Sequence, residues 1–394
     1  MQKGTRVLAI DIMRGLTLFL MLFVNDLFVP GVPAWLVHTE ANFDGMGLAD
    51  WVFPGFLFMV GMAVPFAVQS RLKIGDTWPR VLVHIFVRTI SLLIIGIFMM
   101  NSSRLNPELA GISKNLWAIL MYISVFLIWN QYRNLSSNIQ LIFKAIGLIG
   151  LIALAAVFRS GTPENVSWLQ TGWWGILGLI GWGYLAASLV YLICKDSLLK
   201  TSVFWLLFLA LNILSQLGML DLLNPVKPVF GVILSGNVPS IVVTGLVFSL
   251  LLRNLEKEDI KKFIVAGVVF GIVVLISGFV LRNWFIISKI KGTPSWAMIC
   301  NGISILVFMF LYFVIDVLGK SKWAAVFKPA GQNSLTTYLA PDVLYHLIWM
   351  SSIPVLFYKQ SEFEWVVVLG SVIWAFAMIG FAALLSKKGI RLKL

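Results

Sequence analysis

Apolar runs separated by short polar gaps account for most of this chain, and their lengths set the first expectation. The first run covers about residues 16–29, with Asp11 and Arg14 before it and Asn25 and Asp26 near its end. Further stretches of roughly the length a helix needs to cross hydrocarbon centre near 51–69, 81–100, 115–130, 138–157, 174–194, 201–220, 239–252, 262–281, 297–318, 329–350 and 365–386. Those near 115–130 and 239–252 are short, as tilted, re-entrant or broken helices are. The pattern therefore predicts an all-α fold, a polytopic transmembrane bundle of about 10–12 spans.

Composition agrees with the pattern. The chain is 59% hydrophobic and 12% charged, with mean hydropathy +0.93. Such a chain cannot cover itself with polar surface, so its solvent is lipid. The formal charge of +13 lies mostly in the gaps between runs, which reads as a topology signal and not as a nucleic-acid surface. With the N-terminus inside, basic residues such as Lys3, Arg6, Arg71, Lys73, Arg80, Arg253, Lys257 and the tail lysines favour the inner gaps by better than two to one. Both termini are thus expected to be cytoplasmic, with the loop around His38 on the opposite side. Cys194 and Cys300 have no metal-type spacing, and no disulfide framework or metal site is expected. The first helix carries Asp11 and Arg14 and lacks a small-residue cleavage site, so it reads as a retained span. No linker, low-complexity tract or internal repeat stands out, and residues 1–394 read as a single integral-membrane domain. RNLEKEDIKK at 253–262 reads as a solvated turn.

Polar residues near hydrocarbon are costly and usually face a bundle interior or a water-filled cavity. Asp11 and Arg14, three apart on a helix, share a face. They suit either a snorkelling anchor or a cationic mouth for a phosphate-bearing cosubstrate. Asn25 and Asp26 suit a turn before Pro30. His38 sits in a loop bracketed by Glu40, Asp44 and Asp50, which are placed to tune its basicity. Asp50 precedes WVFPGFLFMVGM and suits an N-cap, and Pro54 suits a helix start. His84 and Arg88 share a face of the third run, either as interfacial anchors or as phosphate contacts. Asn333, Ser334, Tyr338, Asp342 and His346 form a polar stripe, suited to interhelical bonding or to a cavity wall. Most of the tryptophans read as interface belts.

Asp11–Gly15 (D-x2-R-G), Phe23–Asn25 (F-V-N), His38 and Gly45–Pro54 (G-x3-A-D-x-V-F-P) together resemble the heparan-alpha-glucosaminide N-acetyltransferase family of membrane acyltransferases. A second signature, G-x-N-S-x3-Y, stands at Gly331, Asn333, Ser334 and Tyr338. TPSW at 293–296 and VIDV at 314–317, which holds Asp316, are also similar to family segments. The resemblance is dense at both ends and weak between about 100 and 285. It implies transfer of an acetyl group from acetyl-CoA to an amino sugar or related glycan across the membrane. It also implies a bacterial-type branch without a lumenal domain, in the inner (plasma) membrane.

On that resemblance His38 is the acid/base or transient acetyl acceptor and Asn25 orients the imidazole or the thioester carbonyl. Asp50 begins the helix after the loop, so folding the loop back is expected to bring it to the same cavity mouth as the third catalytic residue. Arg14, Arg88, Asn333, Ser334 and Tyr338 are candidates for holding acetyl-CoA. General chemistry is consistent with this division: an attacking amine needs a base, and an amide can stabilise an oxyanion. Lateral homodimers are a further expectation. The competing reading is a transporter or permease for a small anionic or sugar-like solute, in which the same polar groups line a pathway. Clustering of Asn25, His38 and Asp50 at one membrane face favours the enzyme, whereas a transporter more naturally shows symmetric broken helices.

Overall fold

The computed structural model of the protein describes residues 7–28, 31–133, 135–255 and 259–394. Lys3, Arg6, Pro30 and Lys257 lie outside them. The long helices are α1 (Leu8–Asp26), α2 (Leu48–Lys73), α3 (Trp78–Ser102), α4 (Lys114–Trp129), α5 (Ser137–Val157) and α6 (Gly175–Cys194). There follow α7 (Leu198–Gln216), α8 (Asn237–Leu255), α9 (Ile260–Leu281), α10 (Pro294–Tyr312), α11 (Ser334–Ser351) and α12 (Glu364–Lys387). A small hairpin pairs Ser160–Thr162 with Asn165–Ser167 between α5 and α6.

Ten helical stretches among the described residues are long and apolar enough to cross a membrane. The protein is an all-α, integral multi-pass membrane protein. The sequence-level spans change in three places. The run near 115–130 forms α4, at 16 residues shorter than a span usually requires. The run near 239–252 extends to Asn237–Leu255, and left-handed Gly236 (φ +66°) joins it to the helical turns before it. The run 329–350 divides at Asn333 (φ −124°, ψ 42°), which separates the turn Lys328–Gln332 from α11.

Local chemistry sets several helix ends. Ser113 accepts from Leu116 N to start α4, and Asp259 accepts from Lys261 N and Lys262 N to start α9. The first turn of α1 is capped from far along the chain. Asp316 Oδ1 and Oδ2 accept from Leu8 N and Ala9 N, both at 2.8 Å. Two expectations for α2 need correcting. The helix starts at Leu48, so Pro54 lies inside it, and Asp50 is the third helical residue while Gly47 is the N-cap. A proline has no N–H to give to the carbonyl four residues earlier. The Asp50 carbonyl is instead approached by the Cys300 thiol, at 3.9 Å.

α2 is the central helix. Of its apolar window, 78% is buried, against 17% for α5 and α7 and 22% for α9. Those outer helices expose apolar side chains such as Ile142, Ile149, Leu206, Val273 and Ile276, as lipid-facing helices do. α2 packs on α1, α6, α8 and α10, and small residues bring the backbones close. A Cβ on Gly61 would stand 1.8 Å from the Val242 carbonyl oxygen, and one on Gly245 would stand 2.0 Å from that of Phe58. Gly15 and Gly331 interlock in the same way. A Cβ on Gly15 would meet Phe327 O at 1.9 Å, and one on Gly331 would meet Asp11 O at 2.0 Å. The two motif regions at opposite ends of the sequence are therefore in direct backbone contact.

Candidate functional site

A cavity of about 2100 Å³ opens between α1, α2, α3, α6 and α11. Seven basic side chains line it, namely Arg14, Arg71, Lys73, Arg88, Arg253, Lys261 and Lys393, together with His84, against the carboxylates of Asp11 and Asp259. Val7 and Leu392–Leu394 also line it, so both described ends of the chain lie at the same end of the bundle. The tail is held there by Gln131 N donating to Arg391 O and by Lys393 N donating to Trp129 O. Leu392 N donates to Thr336 Oγ1.

All five residues expected to hold the cosubstrate, Arg14, Arg88, Asn333, Ser334 and Tyr338, line this cavity. Arg14 Nη1 donates to Gly331 O at 3.3 Å, and Ser334 Oγ to the same carbonyl at 3.0 Å. The Arg88 guanidinium stands over the Tyr184 ring at 4.8 Å. Its Nε and the Asn333 Oδ1 are buried with no hydrogen-bond partner among the described residues. Buried polar atoms are normally satisfied, so these two are free to meet a ligand. Farther along α11 the polar stripe bonds to α4 instead. Tyr122 OH donates to Asp342 Oδ2 at 2.6 Å, and His346 Nδ1 lies 3.0 Å from Asn115 Oδ1.

His38 and Asp50 lie at the other end of α2. The 21 residues from Asp50 to Arg71 span ~32 Å, close to the thickness of a hydrocarbon core. Asp50 is fully buried, and His38 is about half exposed, with Nδ1 at 2.7 Å from Asp50 Oδ1. Asp50 Oδ2 accepts from Gly47 N at 3.0 Å and from Thr39 N and Oγ1 at 3.1 Å. A carboxylate tied down this way fixes the ring, and with the proton on Nδ1 the Nε2 lone pair is left as a base. The cavity wall reaches Phe56 on α2 and Met21 on α1. Phe56 is six residues from Asp50, ~9 Å along the helix.

Not every expected residue joins this group. Glu40 is exposed. Asp44 pairs with Arg282 Nε at 2.9 Å and accepts from Ile287 N at 2.8 Å. The Ile287 amide, with Arg282, holds its carboxyl below the usual range. Asn25 is exposed on the last turn of α1, and among the described residues no hydrogen bond links it to His38 or Asp50. Its neighbour Asp26 is fully buried. Asp26 accepts from Tyr345 OH, from Tyr358 OH at 2.6 Å and from Lys359 Nζ at 2.7 Å. Lys289 was missed at the sequence level. Its Nζ lies 3.1 Å from His38 Nδ1 and 3.3 Å from Nε2. Burial pushes the Lys289 ammonium below its ordinary value, and the Asp50 carboxylate opposes that shift. The one available signal was its position four residues before TPSW.

Residues 6–217 match a family described as "Domain of unknown function (DUF5009)". The chain belongs to the DUF5009 family. The matched region holds Arg14, Asn25, His38, Asp50 and Arg88, while Lys289 and the Asn333–Tyr338 wall lie beyond it. This DUF5009 protein is also similar to heparan-alpha-glucosaminide N-acetyltransferase of Homo sapiens, 34% identical over 96 residues, which is 24% of this chain and 14% of that protein. The Mus musculus protein of the same name is 31% identical over 99 residues, 25% of this chain and 14% of that protein. The family likeness read from the motifs is thus found independently, over a stretch covering about 14% of each relative.

Proposed function

We propose that this protein is a transmembrane acyltransferase that moves an acetyl group from acetyl-CoA to an amino sugar or related glycan. The observation that carries the reading is the pairing of two sites along α2, a basic cavity at one end and the His38–Asp50 pair at the other. The cavity suits a polyanionic cosubstrate. Guanidinium groups bind phosphate in a fork geometry, and seven cations focus the potential there. The basic end is cytoplasmic in this proposal, and the His38 end meets the acceptor on the opposite face of a bacterial inner membrane.

In the proposed reaction His38 Nε2 takes the proton of the acceptor amine as its nitrogen attacks the thioester carbonyl. The C–S bond then breaks, and the proton taken up by His38 passes to the departing CoA thiolate, which leaves into the cavity as the thiol. A transient acetyl-histidine would use the same Nε2. Asn25, exposed at the same end of the bundle, is the proposed amide donor to the oxyanion. The test is an acetyl-transfer assay of the purified protein against a panel of glucosamine-terminated sugars, with mass spectrometry of the products. An acetylated sugar that disappears in His38→Ala, with acetyl-CoA binding intact, is the expected result. Parent-rate transfer by His38→Ala, free of other acetyltransferases, would overturn the mechanism. Solute uptake without acetyl-CoA turnover would favour a transporter instead.

A further inference from the structure

The basic cavity changes character along its length, and the change falls at one level on two neighbouring helices. α6 runs in the same direction as α2, since Gln69 Nε2, near the basic end of α2, donates to Tyr191 OH near the end of α6 at 3.3 Å. α3 follows α2 after a short turn and runs the opposite way. On the α3 face His84 and Arg88 are followed one turn on by Leu92. On the α6 face Tyr184 is preceded one turn back by Ile180, and then by Leu177 and Ile176. The Arg88 guanidinium, 4.8 Å over the Tyr184 ring, therefore ends the polar part. Beyond that pair, toward the His38 end, every described residue that α3 and α6 give to the lining is apolar. Leu92, Leu177 and Ile180 are all buried, so this wall belongs to the interior and not to the lipid-facing surface. Close backbones hold it in place. A Cβ on Gly96 would stand 2.5 Å from Trp174 O and from Gly178 N, and one on Gly181 would stand 3.1 Å from the Leu92 Cβ.

We propose that the α3–α6 wall is an acyl-chain pocket, and that the donors extend from acetyl-CoA to thioesters with short linear saturated chains, propionyl to hexanoyl. This rests on the reading of the basic cavity as the CoA site. The route toward the acceptor end lies on α1, where Arg14, Leu18 and Met21 line the cavity in helical register and Asn25 follows Met21 by one turn. The α3–α6 wall leads to no reacting residue, and it has no polar side chain to orient a nucleotide. A donor whose phosphates meet the cations and whose thioester points toward His38 carries its acyl carbon past the Arg88–Tyr184 pair. An acetyl methyl leaves most of the wall beyond that pair uncovered. From Tyr184 to Ile176 the wall runs eight residues, ~12 Å, room for a chain of about six carbons. Each further methylene laid against it leaves water for an apolar surface, which is worth about four-fold in affinity.

The experiment is isothermal calorimetry of the full chain in detergent, with CoA and with its acetyl, propionyl, butyryl and hexanoyl thioesters. Affinity should climb along the series, so that hexanoyl-CoA binds on the order of 100-fold more tightly than acetyl-CoA. Ile180→Phe, which fills the pocket, and Leu177→Asn, which makes its wall polar, should each flatten that climb in preparations that melt as folded proteins. A climb that survives in both folded variants comes from the micelle or from another face, and it overturns the proposal. A flat series in the parent, with CoA bound, overturns it without any variant. Failure of the cosubstrate reading looks different: neither CoA nor any thioester binds, and the pocket proposal falls with it.

Discussion

Replacing Asp50 by asparagine keeps the shape of the side chain and removes its charge. In the parent, Oδ1 faces His38 Nδ1 at 2.7 Å, while Oδ2 collects Gly47 N at 3.0 Å with Thr39 N and Oγ1 at 3.1 Å. Asparagine has a single carbonyl oxygen, and the two backbone amides will claim it. Its NH2 group then faces Nδ1 and donates to it, which moves the imidazole proton to Nε2. A ring protonated at Nε2 cannot accept the proton of an incoming amine, and loss of general-base catalysis costs about 10²–10⁴ in rate. Hydrogen bonds to charged groups contribute ~1.5–3 kcal/mol and neutral ones ~0.5–1.5, so two weakened backbone bonds lower stability by about 1–3 kcal/mol in all. The assay is single-turnover acetyl transfer beside a detergent melting curve on the same preparation. Raising pH should not restore Asp50→Asn, since a tautomer is blocked. A folded Asp50→Asn protein at the parent rate, or one fully rescued at high pH, would refute the reasoning.

Three other outcomes are expected. Arg14→Ala and Arg88→Ala should each weaken acetyl-CoA binding by on the order of 1.5–3 kcal/mol, the worth of a charge-assisted contact; calorimetric affinities unchanged in both would remove the cavity from the donor's path. Gly245→Ala puts a methyl 2.0 Å from the Phe58 carbonyl oxygen and should lower the melting temperature, at an overpacking cost of about 1–3 kcal/mol; an unshifted curve would contradict the close α2–α8 crossing. A single cysteine at position 38 should react with a membrane-impermeant reagent from the side opposite the termini, and labelling from the cytoplasmic side alone would reverse the proposed orientation.

Residues that stand close together in the sequence were the legible ones. Apolar run length gave the multi-pass bundle, because the hydrocarbon core imposes one length on every crossing helix. Asp50 and His38 are 12 residues apart, and a short loop that returns to the start of a helix brings such a pair within reach. The D-x2-R-G motif marked Arg14, the second signature marked Asn333, Ser334 and Tyr338, and helical spacing paired His84 with Arg88; all of these line the cavity. Lys289 was not legible, since 251 residues separate it from His38 and only the packing of α9 and α10 places it there. Asp26 was read as a turn residue, yet its partners Tyr345 and Tyr358 lie 319 and 332 residues away. The break at Asn333 was hidden because an apolar run does not announce where its backbone leaves helical geometry.

The cap that Asp316 places on α1 also sets a schedule for synthesis. Leu8 and Asp316 are 308 residues apart, and ribosomes add about 5–20 residues per second. The first helix therefore waits about 15–60 s in the membrane before its own N-terminal amides are satisfied. Over the same interval the backbone of Gly15 has no Phe327 or Gly331 to pack against. For most of its synthesis the chain is an open assembly with a polar, unfinished entrance helix, exposed to whatever insertion factors and membrane proteases survey nascent spans. It closes only when its last fifth arrives.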